Sequence, residues 1–152
     1  MMPTGCLEEA VMPALPLVRE YMDHFVNTLR PETDIFDAVE FLLERRVTGA
    51  PVVDAAGRLV GIISEKDCLR LLAQGFDHQA PHGTVADYMT RNVETVKPDM
   101  DVYFAAGIFL RGQFRRLPVV EGDMLVGAIT RFDILRAIKS RLRPVTEPGV
   151  VI

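Results

Sequence analysis

The chain of 152 residues lacks most of the patterns that announce chemistry. Its two cysteines, Cys6 and Cys68, are too few and too far apart for a disulfide framework or a cysteine-based zinc site. Its three histidines include His78 and His82, a spacing that on a helix would turn both towards one metal ion. Pro81 and Gly83 break any helix there, so a solvated linker is the favoured reading. There is no Gly-rich phosphate loop, nucleophile elbow or His-Glu-x-x-His signature. The longest apolar runs, such as residues 117–120, fall far short of a bilayer span. No Lys or Arg precedes Arg19, so the basic start of a signal peptide is missing and a cytoplasmic location is expected. Basic residues are not in excess either: 17 against 21 acidic ones leave a net charge of -4 and no general attraction for nucleic acid. Neither a membrane nor a nucleic acid is expected as a partner.

What the chain has is itself, twice. Val18, Tyr21, Met22, Thr28, Pro31, Asp34, Ala38, Pro51, Val52 and Val53 recur 67 positions later as Val85, Tyr88, Met89, Thr95, Pro98, Asp101, Ala105, Pro118, Val119 and Val120. Beyond this point the offset is 66, and Leu59, Gly61, Ile63, Asp67, Leu69 and Arg70 recur as Leu125, Gly127, Ile129, Asp133, Leu135 and Arg136. The lost residue falls in a turn, Asp54-Ala55-Ala56-Gly57 against Glu121-Gly122-Asp123, where duplication of one fold tolerates a change of length. The division that follows is a leader over 1–16, a first repeat over 17–75, a linker over 76–83, a second repeat over 84–142 and a tail over 143–152.

Each repeat reads as a short helix followed by strand, helix, strand, strand and helix, a mixed α/β unit of βαββα order. In the first repeat a strand is expected over 25–29, ended by Pro31. Asp34 then caps a helix over 35–46, whose Ile35, Ala38, Val39, Leu42 and Leu43 recur at the spacing of one buried face. A short β-branched strand over 50–53 pairs with a returning strand over 59–63, and Ser64 opens a helix carrying Cys68, Leu69, Leu71 and Leu72. A unit of this size is near the lower limit for a free-standing core. The uncovered face of its sheet needs a partner, and the other repeat is the obvious one, giving a pseudo-twofold pair with two related clefts.

The polar residues worth attention sit where the second strand of each hairpin hands over to a helix. Ser64-x-x-Asp67 and Thr130-x-x-Asp133 are ordinary helix caps on one reading. On the other, the same hydroxyl and free amides meet a phosphate, while the carboxylate accepts from ribose hydroxyls. Arg115 and Arg116, just before the second repeat's buried strand, tilt the balance towards an anion, and Arg131 adds a third cation against the helix dipole preference. In the first repeat Thr48 and Gly49 replace the two arginines, and Glu65, partly offset by Lys66, replaces Arg131. The second repeat is therefore expected to hold the stronger anion site and the first a weaker one. Tyr103, Phe104, Phe109 and Phe114 are read as core or interface packing rather than a base-stacking platform.

These residues carry a resemblance. Tyr21-Met22 and Tyr88-Met89, Thr28-x-x-Pro31 and Thr95-x-x-Pro98, Pro51-Val52-Val53 and Pro118-Val119-Val120, with the two S/T-x-x-D ends, resemble tandem CBS (cystathionine-β-synthase-type) domains, the Bateman module. The resemblance implies a regulatory module that reversibly binds AMP, ADP, ATP or S-adenosylmethionine between its repeats, pairs into a homodimer through its helices and signals to an effector protein. It places ribose on Asp67 and Asp133, and phosphate near Ser64, Thr130, Arg115 and Arg116. The base is framed by Thr28, Thr95, Ala50 and Leu117, beside Pro51 and Pro118. No chemistry of its own is expected. The alternatives are a ligand-free structural dimerisation module and, with less support, a small nucleotide hydrolase using Asp67 or Asp133.

Overall fold

In the computed structural model, residues 15–75 and 82–141 are described. Residues 1–14 with Cys6, 76–81 with His78, and 142–152 lie outside them, which takes in most of the expected leader and linker and all of the expected tail. The elements run α1 (Val18–Tyr21), α2 (Ile35–Arg45), β1 (Gly49–Val53), β2 (Leu59–Ser64), α3 (Glu65–Gly75), α4 (Val85–Tyr88), α5 (Val102–Arg111), β3 (Arg116–Glu121), β4 (Met124–Thr130) and α6 (Arg131–Arg141). This is the mixed α/β class expected, with the two repeats built alike.

Each repeat is held by one antiparallel hairpin. In β1–β2, Ala50 lies opposite Ile63 and Val52 opposite Gly61. In β3–β4, Leu117 lies opposite Ile129 and Val119 opposite Gly127. Both hairpins bulge at the equivalent place, between Val52 and Val53 and between Val119 and Val120. The third strand expected over 25–29 shrinks to a single-residue parallel bridge: Leu29 to Val52, and Val96 to Val119 in the second repeat. The Leu29 amide donates to the Pro51 carbonyl at 3.0 Å, and its carbonyl accepts from the Val53 amide at 2.9 Å. Apolar character around residue 25 does not extend this pairing, because Phe25 points into solvent at 90% exposure.

Capping explains the helix starts. Asp34 accepts from the Phe36 amide and Asp101 from the Phe104 amide, each at 2.9 Å, satisfying donors that a first turn leaves without partners. On α2 the buried face is Ile35, Ala38 and Leu42, with Val39 half-buried; Leu43, expected on that face, is 73% exposed. On α3 Leu71 is buried while Leu69 and Leu72 face out. The apolar stripe read from the helical period is wider than the core it covers, so Leu43 at its edge is left facing out.

Two cores form, and each borrows the short helix of the other repeat. Val85, Tyr88 and Met89 pack with Ile35, Ala38, Val52 and Ile63 of the first repeat. Val18 packs with Val102, Ile108, Leu117 and Ile129 of the second. The segment after each short helix extends the hairpin of the same foreign repeat. Asp23 exchanges two backbone hydrogen bonds with Ala128, of 2.8 and 3.0 Å, and Thr90 exchanges two with Ile62, of 2.8 and 2.9 Å. At the α1 end the Tyr21 hydroxyl bonds Ser140 Oγ at 2.6 Å and accepts from Arg141 Nε at 3.2 Å, which lowers the tyrosine pKa and raises that of the arginine.

The crossing is close enough to require glycine. A Cβ on Gly127 would lie 2.6 Å from the Asp23 carbonyl oxygen, and one on Gly61 would lie 2.6 Å from Met89 Sδ. Gly127→Ala should therefore destabilise the protein by about 1–3 kcal/mol, with hydrogen exchange accelerating first in β4 and in residues 18–23. Gly107→Ala should do the reverse: it sits inside α5, a Cβ there meets only the Arg111 guanidinium at 3.6 Å, and the gain is about 0.5–1 kcal/mol in denaturant unfolding.

Candidate functional site

The two strand–helix junctions carry the same built-in box. In the second repeat, the Asp133 carboxylate accepts from the Thr130 amide at 2.8 Å and the Thr130 hydroxyl at 3.1 Å, and the Asp133 amide donates back to Thr130 Oγ1 at 3.3 Å. In the first, Asp67 accepts from the Ser64 amide and hydroxyl, each at 2.9 Å, and its own amide donates to Ser64 Oγ at 3.2 Å. The local reading of S/T-x-x-D as a cap is thus realised in both repeats.

The boxes reach further than a cap. The second carboxylate oxygen of Asp133 pairs with Arg136 at 2.7 Å, and the same guanidinium donates to the Tyr21 carbonyl at 2.8 Å. Asp67 pairs likewise with Arg70 at 3.0 Å, and Arg70 donates to the Tyr88 carbonyl. Each box is therefore tied to the end of the short helix that crosses from the other repeat. The two differ at one place: Thr90 Oγ1 donates to Asp67 at 3.4 Å, whereas the residue equivalent to Thr90 in the second box is Asp23. Asp67 is the one buried charged residue among the described residues, at 8% exposure. Its neighbour Cys68 is half-buried; burial, helped by the adjacent carboxylate, pushes the thiol pKa up.

Both junctions open on one cleft of about 890 Å³. The first repeat supplies Thr48, Gly49, Ala50, Pro51 and Ser64, and the second supplies Arg115, Arg116, Pro118, Thr130 and Arg131. Residues assigned from sequence to two sites thus share one opening, since each short helix and its extension clamp the two hairpins side by side. Leu117 is fully buried in the core opposite Ile129 and does not line the cleft. Nor do Asp67 and Asp133, whose carboxylates fold back into their boxes. Thr95 and Thr28 line two smaller, pseudo-symmetric hollows of about 200 and 230 Å³. The register accounts for this: the bridges at Val52 and Val119 set the outer segments towards the hairpin turns rather than the helix junctions.

Sequence reasoning passed over several lining residues: Arg46, Gln113 and Phe132 all line the cleft. Phe114, expected in packing, does pack against the second core and lines the cleft as well. The offset of 67 pairs Arg46 with Gln113, so their placement was available from the repeat once one of them was assigned. A Cβ on Gly112 would meet the Phe114 ring at 2.2 Å, so the glycine is what lets this ring lie against the turn. Among the described residues no group of three His, Cys, Asp or Glu side chains is placed to hold a metal ion. No helix among them is long and apolar enough to cross a membrane.

Comparison with known proteins gives this architecture its relatives. The CBS domain model matches residues 18–74 and 85–140. The chain is 37% identical over 123 residues to the uncharacterised protein MJ1225 of Methanocaldococcus jannaschii, covering 81% of this chain and 43% of that protein. CBSX2 of Arabidopsis thaliana, crystallised in complex with AMP, superposes with a TM-score of 0.74 at 34% identity, over 84% of this chain and 99% of that one. The CBS domain pair of protein MJ0100, crystallised with 5'-methylthioadenosine and S-adenosyl-L-methionine, superposes with a TM-score of 0.69 at 29% identity, over 84% of this chain and 99% of that one. The chain spans 58% of the full-length chloroplastic CBSX2 and under half of MJ1225.

The tie from box to crossing helix is open to a direct test. Arg136→Gln should cost only about 1 kcal/mol or less, because the pair is partly exposed, with the arginine side chain at 64% and Asp133 at 13%. Exchange at residues 18–23 should nonetheless rise selectively, while the equivalent segment 85–90, held by Arg70, stays protected.

Proposed function

Because the chain belongs to the CBS-domain family and carries two such repeats in tandem, we propose that it is a regulatory module that reversibly binds an adenosyl ligand between its repeats. The observation that carries this reading is the shared cleft, where two strand–helix junctions bring hydroxyls and guanidinium groups to one volume of nucleotide size. Adenosyl ligands in the CBS-pair relatives CBSX2 and MJ0100 support the ligand class.

In this reading Arg115, Arg116 and Arg131 hold phosphate, with Ser64 and Thr130 as hydroxyl donors beside it. Thr48, Gly49, Ala50, Pro51 and Pro118 form the wall that frames the base, while Thr28 and Thr95, set towards the hairpin turns, stand apart from it. The ribose is held by Asp133 or Asp67. For that, one carboxylate oxygen exchanges its arginine for a sugar hydroxyl, which frees Arg136 or Arg70 from its pair. The guanidinium then loosens its hold on the carbonyl of Tyr21 or Tyr88, and occupancy is passed to the crossing helix. A ligand shifts such a balance only by binding one arrangement better than the other. The module binds and signals without a reaction of its own, and its output goes to a partner protein.

A homodimer is the assembly this reading expects. Leu43, Leu72, Leu110 and Leu135 stand out of the long helices at more than half exposure. Two copies meeting through these helices would cover them.

Two measurements test the proposal. Thermal unfolding against AMP, ADP, ATP, S-adenosylmethionine and inorganic phosphate should show a saturable rise for an adenosyl ligand, worth about 2.7 kcal/mol at a hundredfold excess over Kd. Asp133→Asn should weaken that response, and a flat response to all five compounds would sink the ligand reading in favour of a structural module. Separately, Leu110→Glu should shift the protein from dimer to monomer in analytical ultracentrifugation without loss of secondary structure.

A further inference from the structure

The main cleft holds more positive charge than a single phosphate group requires. Arg115, Arg116 and Arg131 reach it from the second repeat, Arg46 and Lys66 reach it from the first, and Glu65 is the one acid among its lining residues. None of the five cations forms an ion pair with a described Asp or Glu, whereas Arg70 and Arg136, away from the cleft, are paired. Five cations line one cleft against a single carboxylate, an excess of positive charge that a bound polyanion would offset.

Arg46 adds a second, independent sign. It ends α2 in the left-handed conformation, at φ 53 and ψ 45, and it is the only non-glycine residue with positive φ among the described residues. Glycine is the ordinary residue at such a helix end. An arginine there accepts backbone strain and places a long cation among the residues that line the cleft. The strain is local and the helix gains nothing from the side chain, which makes no hydrogen bond among the described residues.

Resting on the adenosyl reading above, we infer that the cleft selects nucleoside polyphosphates. The phosphate chain spans the two repeats, from Arg115 and Arg131 across to Arg46 and Lys66. ADP and ATP therefore outbind AMP, and S-adenosylmethionine, whose sulfonium and ammonium leave it net positive, is rejected. The cleft of about 890 Å³ is large enough for a nucleoside with its phosphate chain.

Isothermal titration of the full chain in EDTA, with AMP, ADP, ATP, S-adenosylmethionine and inorganic tripolyphosphate, decides the matter. Each added phosphate should tighten binding about tenfold, and S-adenosylmethionine should give no heat. In the double variant Arg46→Gln/Lys66→Gln, ATP should lose tenfold or more while AMP is unchanged, since a single phosphate stays with the second repeat's arginines. Arg46→Gly should raise the melting midpoint by about 3 °C, by relieving the backbone, and still lose part of the preference for ATP. AMP binding as tightly as ATP, S-adenosylmethionine binding best, or a double variant that keeps the ATP-to-AMP ratio would each overturn the polyphosphate inference and leave the adenosyl reading standing. Tripolyphosphate binding as tightly as ATP would do the opposite, keeping the charge selection and removing the adenosyl reading. No binding by any of the five would remove both.

Discussion

The structure depends on a strand exchange of four hydrogen bonds. Asp23 pairs with Ala128 and Thr90 with Ile62, so each repeat completes its hairpin with a segment that belongs, by sequence, to the other. A repeat of this size cannot bury its sheet alone. Here the missing cover arrives in reciprocal form, with Val18 in one core and Val85, Tyr88 and Met89 in the other. Neither core is complete without the neighbouring repeat, which makes the pair rather than the repeat the folding unit. Gly61 and Gly127 are the local condition for this arrangement, because any side chain there would occupy the space of the crossing segment.

The same crossing gives the site its connection to the rest of the molecule. Asp67 and Asp133 each face two ways: one oxygen closes a helix cap, the other holds an arginine whose remaining donor reaches a crossing helix. A cap by itself is a matter of local stability. A cap wired through an arginine to a segment from the other repeat makes the local state of a carboxylate visible at a distance. The partial exposure of the guanidinium groups keeps these ties weak, as a reversible device needs.

Duplication supplied two equal junctions, and substitution has made them unequal. Arg115, Arg116 and Arg131 stand where the first repeat has Thr48, Gly49 and Glu65, while Arg46 stands where the second has Gln113. Because both junctions open on one cleft, these changes add rather than separate: the charge of one repeat and the charge of the other face the same volume. The strain at Arg46 and the unpaired cations are departures from what stability alone would select, and they gather in one place.

Much of this was readable before any coordinates. The doubled pattern, the βαββα order, the turn that absorbs the length change, the caps at Asp34 and Asp101 and the S/T-x-x-D boxes are all local. Hydrophobic period, cap chemistry and turn residues act within a few positions of one another. The repeat also marked Gly61 and Gly127 and the arginine at the end of each box, Arg70 and Arg136, without saying what they met. Tertiary structure alone decided that each short helix serves the other core, and that one cleft stands where two were expected. It also decided that Leu117 points inward while Arg46 and Phe132 point into the cleft, and that the outer strand survives as a single bridge. The reason is physical: a short segment such as residues 17–23 carries the same apolar residues whichever hairpin it covers. Only the mutual packing of two incomplete cores determines which one it joins.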